Sequence, residues 1–303
     1  MATILRRFVL ALVSFAALAA NGFAAPPMPA GNTTLLMMPD STNNRLVLFN
    51  LADGSVADAD YISLQGGIPI HAIQVGYQIW ISEQSGDRVS LWSLDGVYLG
   101  AIGGGAGGGL DNVRGMTFGP GHVLLANFGS ENGAPGAALV RIAFSGDIIG
   151  SIDVGAVSPS PFFVLPIGTG YLVASSAPDD DIHRFNLQLE PIGTLHNSTQ
   201  LNFVEQMTML PGSGFLAAGF SSNNLVRLDS NGAVVSSITA SGARGVALLG
   251  NGNYLWTNGA GAHVYDVATQ TSTPVYTGGG RFLSPFLYAS ENLFTDGFDP
   301  GPR

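Results

Sequence analysis

The sequence predicts an all-β chain folded as a six-bladed β-propeller with four antiparallel strands per blade. Three observations carry this. A phrase of short strand, polar turn, second strand and Asp-Gly turn first occurs at residues 38–54 and returns along the chain. Apolar runs of strand length come in groups of four. In the third run of each group Leu48, Leu91, Ile142, Phe185, Leu228 and Tyr265 lie 43, 51, 43, 43 and 37 positions apart. A period near that length with four strands per unit is the spacing of a propeller blade. Composition agrees: 42 glycines and only 11% charged residues suit a chain with many tight turns, and 46% hydrophobic residues argue against disorder.

Taken in order, residues 1–24 read as a secretory signal peptide. Arg6 and Arg7 form its basic start, and the apolar stretch at 8–20 is short for a membrane span. Its removal takes the formal charge from −10 to −12. Residues 25–33, with Pro26, Pro27 and Pro29, read as an extended leader. The propeller is expected over 34–290. Its first unit holds runs at 35–38 and 45–49, split by a Pro-Asp-Ser-Thr-Asn-Asn turn. The second holds runs at 70–75, 78–81, 88–92 and 97–102, and a glycine-rich bridge follows at 103–109. Three further units start at 114, 162 and 204, and the last starts at 245. The first unit lacks an innermost strand, and the chain has an extra run at 282–288. That C-terminal strand is expected to complete the first blade and close the ring, leaving no long sheet edge exposed.

Residues 38–54 and 79–96 resemble NHL repeats: a strand ending in an acid, a polar turn, an arginine, an apolar strand and Asp-Gly. The 103–116 bridge resembles that family's glycine-rich connector. In the other units Asn127, Ser175, Gly219 and Asn258 stand near the family's Asp position. The resemblance implies a propeller. It implies no single function, because propellers of this kind include protein- and RNA-binding modules, lactonases and lyases. Residues 291–303 resemble a short Asp-Gly-Phe-acidic tail of exported proteins, which is either a sorting or processing element or a loose end.

Cysteine is absent, which excludes disulfides, thiolate metal sites and a cysteine nucleophile. All 11 basic residues are arginines and form no basic run, so a net acidic chain of this kind excludes nucleic acid and anionic membrane surfaces as partners. The mature chain has no membrane-spanning run, and a periplasmic or extracellular monomer is expected.

Candidate chemistry falls on the innermost strands, which line the channel. Aligned by the following turn, they start at His71, Arg114, Phe163, Gln206, Arg244 and Arg281. His71, Arg114, Gln206, Arg244 and Arg281 form the candidate ligand-binding set, since arginine's planar fork suits carboxylate or phosphate. The alternative is that each arginine pairs with an acid of a neighbouring blade or caps inter-blade carbonyls. Asp40 and Glu83 are either carboxylates of a lactonase-like site or turn caps paired with Arg45 and Arg88. The run Asp179, Asp180 and Asp181 is a weak calcium candidate or simply solvated. No phosphate loop, nucleophile elbow or metal-spaced histidine set occurs. Three functions remain open: a binding or scaffold module for a small anion or a protein partner; a metal-dependent hydrolase or lyase of lactonase type; and a structural envelope protein. No catalytic residue, metal or cofactor is expected, with calcium implied only under the lactonase-like reading.

Overall fold

A computed structural model describes residues 33–176, 182–212 and 214–288. The signal peptide, most of the leader, the tail and the Asp179–Asp181 run lie outside the described residues. The described chain forms six four-stranded antiparallel sheets. The first blade holds β1 (Thr33–Asp40), β2 (Arg45–Asn50) and β3 (Val56–Ser63). The second is β4 (Pro69–Val75), β5 (Gln78–Glu83), β6 (Arg88–Ser93) and β7 (Tyr98–Gly103). The third is β8 (Val113–Gly119), β9 (His122–Asn127), β10 (Ala138–Ala143) and β11 (Ile148–Asp153). The fourth is β12 (Pro161–Ile167), β13 (Gly170–Ser175), β14 (Ile182–Phe185) and β15 (Pro191–His196). The fifth is β16 (Val204–Leu210), β17 (Gly214–Gly219), β18 (Asn224–Leu228) and β19 (Val234–Thr239). The sixth is β20 (Val246–Leu248), β21 (Tyr254–Asn258), β22 (Gly261–Asp266) and β23 (Thr271–Thr277). The last strand, β24 (Ser284–Tyr288), pairs with β1 as the innermost strand of the first blade. The six-bladed ring with C-terminal closure is therefore as the repeat spacing predicts.

Burial explains the sequence pattern. A second strand such as β13 packs a neighbouring blade on each face and is buried throughout, so it reads as a continuous apolar run rather than an alternation. A fourth strand such as β11 lies at the rim and is almost wholly exposed. Six apolar clusters form the core, each filling the space between two adjacent blades. The cluster between the fourth and fifth blades also reaches the axis through Phe163 and Phe282.

Two readings are corrected. The first blade's outer strand β3 carries no apolar run, because five of its eight residues are exposed or partly exposed Ala, Asp or Ser. The third-strand alignment is one residue out in the first two units. Pairing with the second strand makes Phe49 and Trp92, not Leu48 and Leu91, equivalent to Ile142, Phe185, Leu228 and Tyr265.

The seam between the first and last blades is tied by Asp40. Its carboxylate accepts hydrogen bonds from Tyr276 Oη (2.6 Å) and Gly279 N (2.8 Å) across the seam. Locally it accepts from Thr42 N, Asn43 N and Asn43 Nδ2. Arg281 N–H donates to Pro39 O at 3.1 Å. Burial would raise the Asp40 pKa, but the donors Tyr276, Asn43 and Gly279 together hold it below the usual 3.8. The stability this contributes is full above the unfolded-state value and is lost as pH falls through the lower folded-state value. Asp40→Ala is expected to lower unfolding free energy by about 3 kcal/mol in urea titrations, because it leaves buried donors unmatched. Asp40→Asn is expected to flatten the acid limb of stability below pH 4 relative to the wild type.

Candidate functional site

The candidate residues lie at the start of the innermost strands, and there the structure separates them into two levels. In most blades the strand carries an extra residue, seen as a register shift between Pro69 and His71, Val113 and Met116, Pro161 and Phe163, and Val204 and Gln206. The inner level holds His71, Phe163, Gln206 and Phe282, with Gly115 and Gly245 in the remaining two blades. The outer level, at the channel mouth, holds Arg114, Glu205, Arg244 and Arg281. Alignment on the turn alone mixes these levels and so gives Gln206 in place of its neighbour Glu205.

The inner level closes the channel. The rings of His71, Phe163 and Phe282 stand edge-on or tilted to one another with centroids 5.4–5.7 Å apart. All four side chains are at most 5% exposed. Gln206 Oε1 accepts from Val246 N and Leu283 N, both at 2.9 Å, and its Nε2 donates to Leu283 O at 2.6 Å. One side chain thus joins the fifth, sixth and first blades. His71 Nδ1 accepts from Met116 N at 3.0 Å. Burial pushes the His71 pKa down to about 3, against the small upward effect of that bond, so the ring is neutral. A Cβ on Gly115 would stand 2.8 Å from the Phe163 ring, and one on Gly245 would strike Arg281 O and Thr257 Oγ1. Only glycine fits at these two places.

At the outer level the three arginines differ. Arg114 Nη1 donates to Ser160 Oγ (2.9 Å) and Pro161 O (3.1 Å), and its Nε donates to Asn112 Oδ1 (3.1 Å). Its guanidinium also lies 4.5 and 4.6 Å from the centroids of Phe128 and Phe162. It is 6% exposed and binds the third blade to the fourth. Burial lowers its pKa to about 10, which leaves it charged. Arg281 Nε donates to Ser41 Oγ at 2.9 Å. Burial and then the like charge of Arg244 lower its pKa to about 10. Arg244 Nε sits 4.0 Å from Glu205 Oε1, too far for a hydrogen bond, with the guanidinium 5.5 Å from the Phe220 ring. Glu205 Oε2 and Arg244 Nε are buried atoms with no hydrogen-bond partner among the described residues.

Glu205 is the acid shared by this group. Burial raises its pKa from 4.5 to about 7, against the pull of Arg281, Arg244 and Arg114. The mouth therefore holds three cations around one carboxyl that burial keeps partly protonated near neutral pH.

Asp40 and Glu83 stand apart from the channel at the ends of second strands. Arg88 Nε donates to Glu83 Oε2 at 2.7 Å, and Arg45 Nε lies 3.7 Å from Asp40 Oδ2. The equivalent Asn127 accepts from Asp111 N and donates to Gly129 O and Gly136 O, and Asn258 Nδ2 donates to Ser241 O. This repeat position is a loop staple. Among the described residues no three His, Cys, Asp or Glu side chains stand together as a metal site would require.

No family model matches the chain, and no curated protein matches it in sequence. Solved structures match it in fold. The chain is similar to a protein of unknown function from Bacteroides caccae at 14% identity and a TM-score of 0.60, covering 84% of this chain and 98% of that one. It is similar to a chain of the nidogen/laminin complex at 11% identity and a TM-score of 0.64, covering 83% and 98%. It is also similar to inactive virginiamycin B lyase from Staphylococcus aureus with quinupristin at 12% identity and a TM-score of 0.56, covering 86% and 94%. These likenesses support the six-bladed fold and no more.

An acid whose pKa is raised on folding destabilises the fold as pH climbs from the unfolded to the folded value. For Glu205 that window runs from 4.5 to about 7. Between those limits the wild type is expected to lose on the order of 3 kcal/mol relative to Glu205→Gln, read from denaturation midpoints at each pH.

Proposed function

We propose that this protein is a non-catalytic binding module, exported from the cell, that captures a carboxylate- or phosphate-bearing molecule, or an acidic group of a protein partner, at the channel mouth. The observation that carries this is the imbalance there. Three arginines face one carboxyl that burial holds partly protonated near neutral pH; Arg244 Nε has no hydrogen-bond partner among the described residues, and the side-chain bond of Arg281 is the one from its Nε to Ser41. An arriving anion supplies the missing charge and the missing acceptors, in a partly dry site where such bonds are strong. The Phe220 face beneath Arg244 holds the guanidinium in place without consuming its hydrogen bonds. Arg114, spent on the fourth blade, contributes field rather than contact. Of the sequence-derived set, Arg244 and Arg281 are thus the contact residues, while His71 and Gln206 form the floor.

The paired roles of Asp40 and Glu83 support an NHL-like reading of the first two units, in which the acid and the arginine close a turn. A metal-dependent site would call for converging carboxylates. The described mouth offers Glu205 alone, hemmed by cations that compete with a metal ion.

Calorimetry with inorganic phosphate and with citrate tests this. Each hydrogen bond to a charged group contributes ~1.5–3 kcal/mol. Arg244→Ala and Arg281→Ala are therefore each expected to weaken binding about tenfold or more, and binding should fall as salt rises. Arg114→Ala is expected to lower the melting temperature. In Arg114→Ala combined with Arg244→Ala, unchanged anion binding together with lost stability would sink the proposal and make these two arginines inter-blade ties.

A further inference from the structure

The far side of the inner level presents a different surface. There the C-terminal halves of the innermost strands surround a cavity of about 390 Å³, floored by His71, Phe163 and Gln206 and walled by residues such as Ile73, Met116 and Leu165. That volume lies within the ~300–1,000 Å³ range of small-molecule pockets. The cavity shares no charged residue with the arginine mouth, and the inner level of His71, Phe163 and Gln206 is the floor between the two. The packed rings of His71, Phe163 and Phe282 separate them, so this is a cup and not a passage.

Its chemistry points to one kind of occupant. No Asp, Glu, Lys or Arg lines it, and the titratable group it does contain, His71, is neutral with Nδ1 already taken by Met116 N. A charged ligand would be desolvated there without a counter-charge. Gln74 is spent on Leu287 N and Gly76 O, and Ser284 on Ala72 O. The hydroxyls of Thr117 and Thr208 remain as neutral polar contacts. At the rim Phe118, 45% exposed, packs edge-on against Phe144, 50% exposed, and Tyr77 beside them is 79% exposed. An apolar cup leading to exposed aromatics is a surface that water wets poorly.

We propose that this end of the channel is a second binding site, taking an uncharged, ring-bearing small molecule with one or two hydroxyl or carbonyl groups. The ligand lies on the His71–Phe163 floor and reaches Thr117 or Thr208 with its polar atom, and Phe118 flanks the entrance. The site is independent of the anion site proposed above.

The test uses N-phenyl-1-naphthylamine, a neutral two-ring probe whose fluorescence rises on leaving water. The mature protein is expected to give saturable one-site binding that phosphate does not displace and Arg244→Ala with Arg281→Ala does not change. Thr208→Phe fills the cup and is expected to weaken binding at least tenfold. Leu248→Trp, on a neighbouring strand, is a second filler in case the first melts early. Tyr77→Ser with Phe144→Ser removes the outer aromatics and is expected to leave most of the affinity. The proposal fails if binding does not saturate, if both fillers bind like the wild type, or if the rim variant abolishes binding, which would mark a surface for an apolar protein segment instead. A crystal soaked with the probe locates it directly: density inside the cup supports the proposal, and density confined to the rim overturns it.

Discussion

Six sheets converging on one axis leave too little room for six side chains, and much of this molecule follows from how that shortage is met. Four blades send a side chain inward and two carry glycine, Gly115 and Gly245, where a Cβ would meet Phe163 or the Arg281 carbonyl. The four that enter are three rings and one amide. The rings exclude water, and so hold His71 neutral. The amide of Gln206 uses both its ends on backbone groups of two other blades. A packed interior tolerates polar atoms best when they are matched, and here His71 Nδ1 and both ends of the Gln206 amide are matched across blade boundaries. The axis is therefore a fastening as well as a filling.

That fastening divides the molecule into two chemically opposed ends. On one side the strand starts present arginine and glutamate, on the other their C-terminal halves present Ile73, Leu165 and Met116. The arginines do not share one task. Arg114 is buried and saturated by Ser160, Pro161 and Asn112, with aromatic rings against its guanidinium. Arg244 and Arg281 sit beside a carboxyl that burial keeps partly protonated. A fully ionised Glu205 would neutralise one of the three arginines and still leave the mouth electropositive, and its raised pKa enlarges that excess in a strongly acidic chain.

The architecture was legible in the sequence because a propeller repeats its physics. Each second strand is buried on both faces and must be apolar, and each turn must be polar. The period near 43 is the trace of that demand. The closing strand was legible as well, since an incomplete first unit and a surplus run at the end account for each other. What escaped was whatever did not repeat. The strand β3 has no apolar run because it lies at the rim. The inserted residue at the head of most innermost strands moves the side chains by one position, and no turn signal marks it. For that reason His71 and Gln206 were grouped with the arginines, and Glu205, one residue before Gln206, was not singled out. The identity of the acid position was half legible: Asp40, Glu83, Asn127, Ser175, Gly219 and Asn258 align, but only the contacts show that the position fastens loops.

The pairing of β1 with β24 has a consequence in time. The hydrogen bond from Gly279 to Asp40 joins residues 239 apart, and the first blade stays a three-stranded fragment until residues 284–288 have been made. Through that interval the inner edge of β1 is an open template of backbone donors and acceptors, and the Gln206 amide lacks its partners at Leu283. Closing so large a loop is entropically slow to reward, and contacts this distant in sequence go with slow folding. The vulnerable species is thus the chain before residues 284–288 are in place, and those residues act as the clasp that ends its exposure.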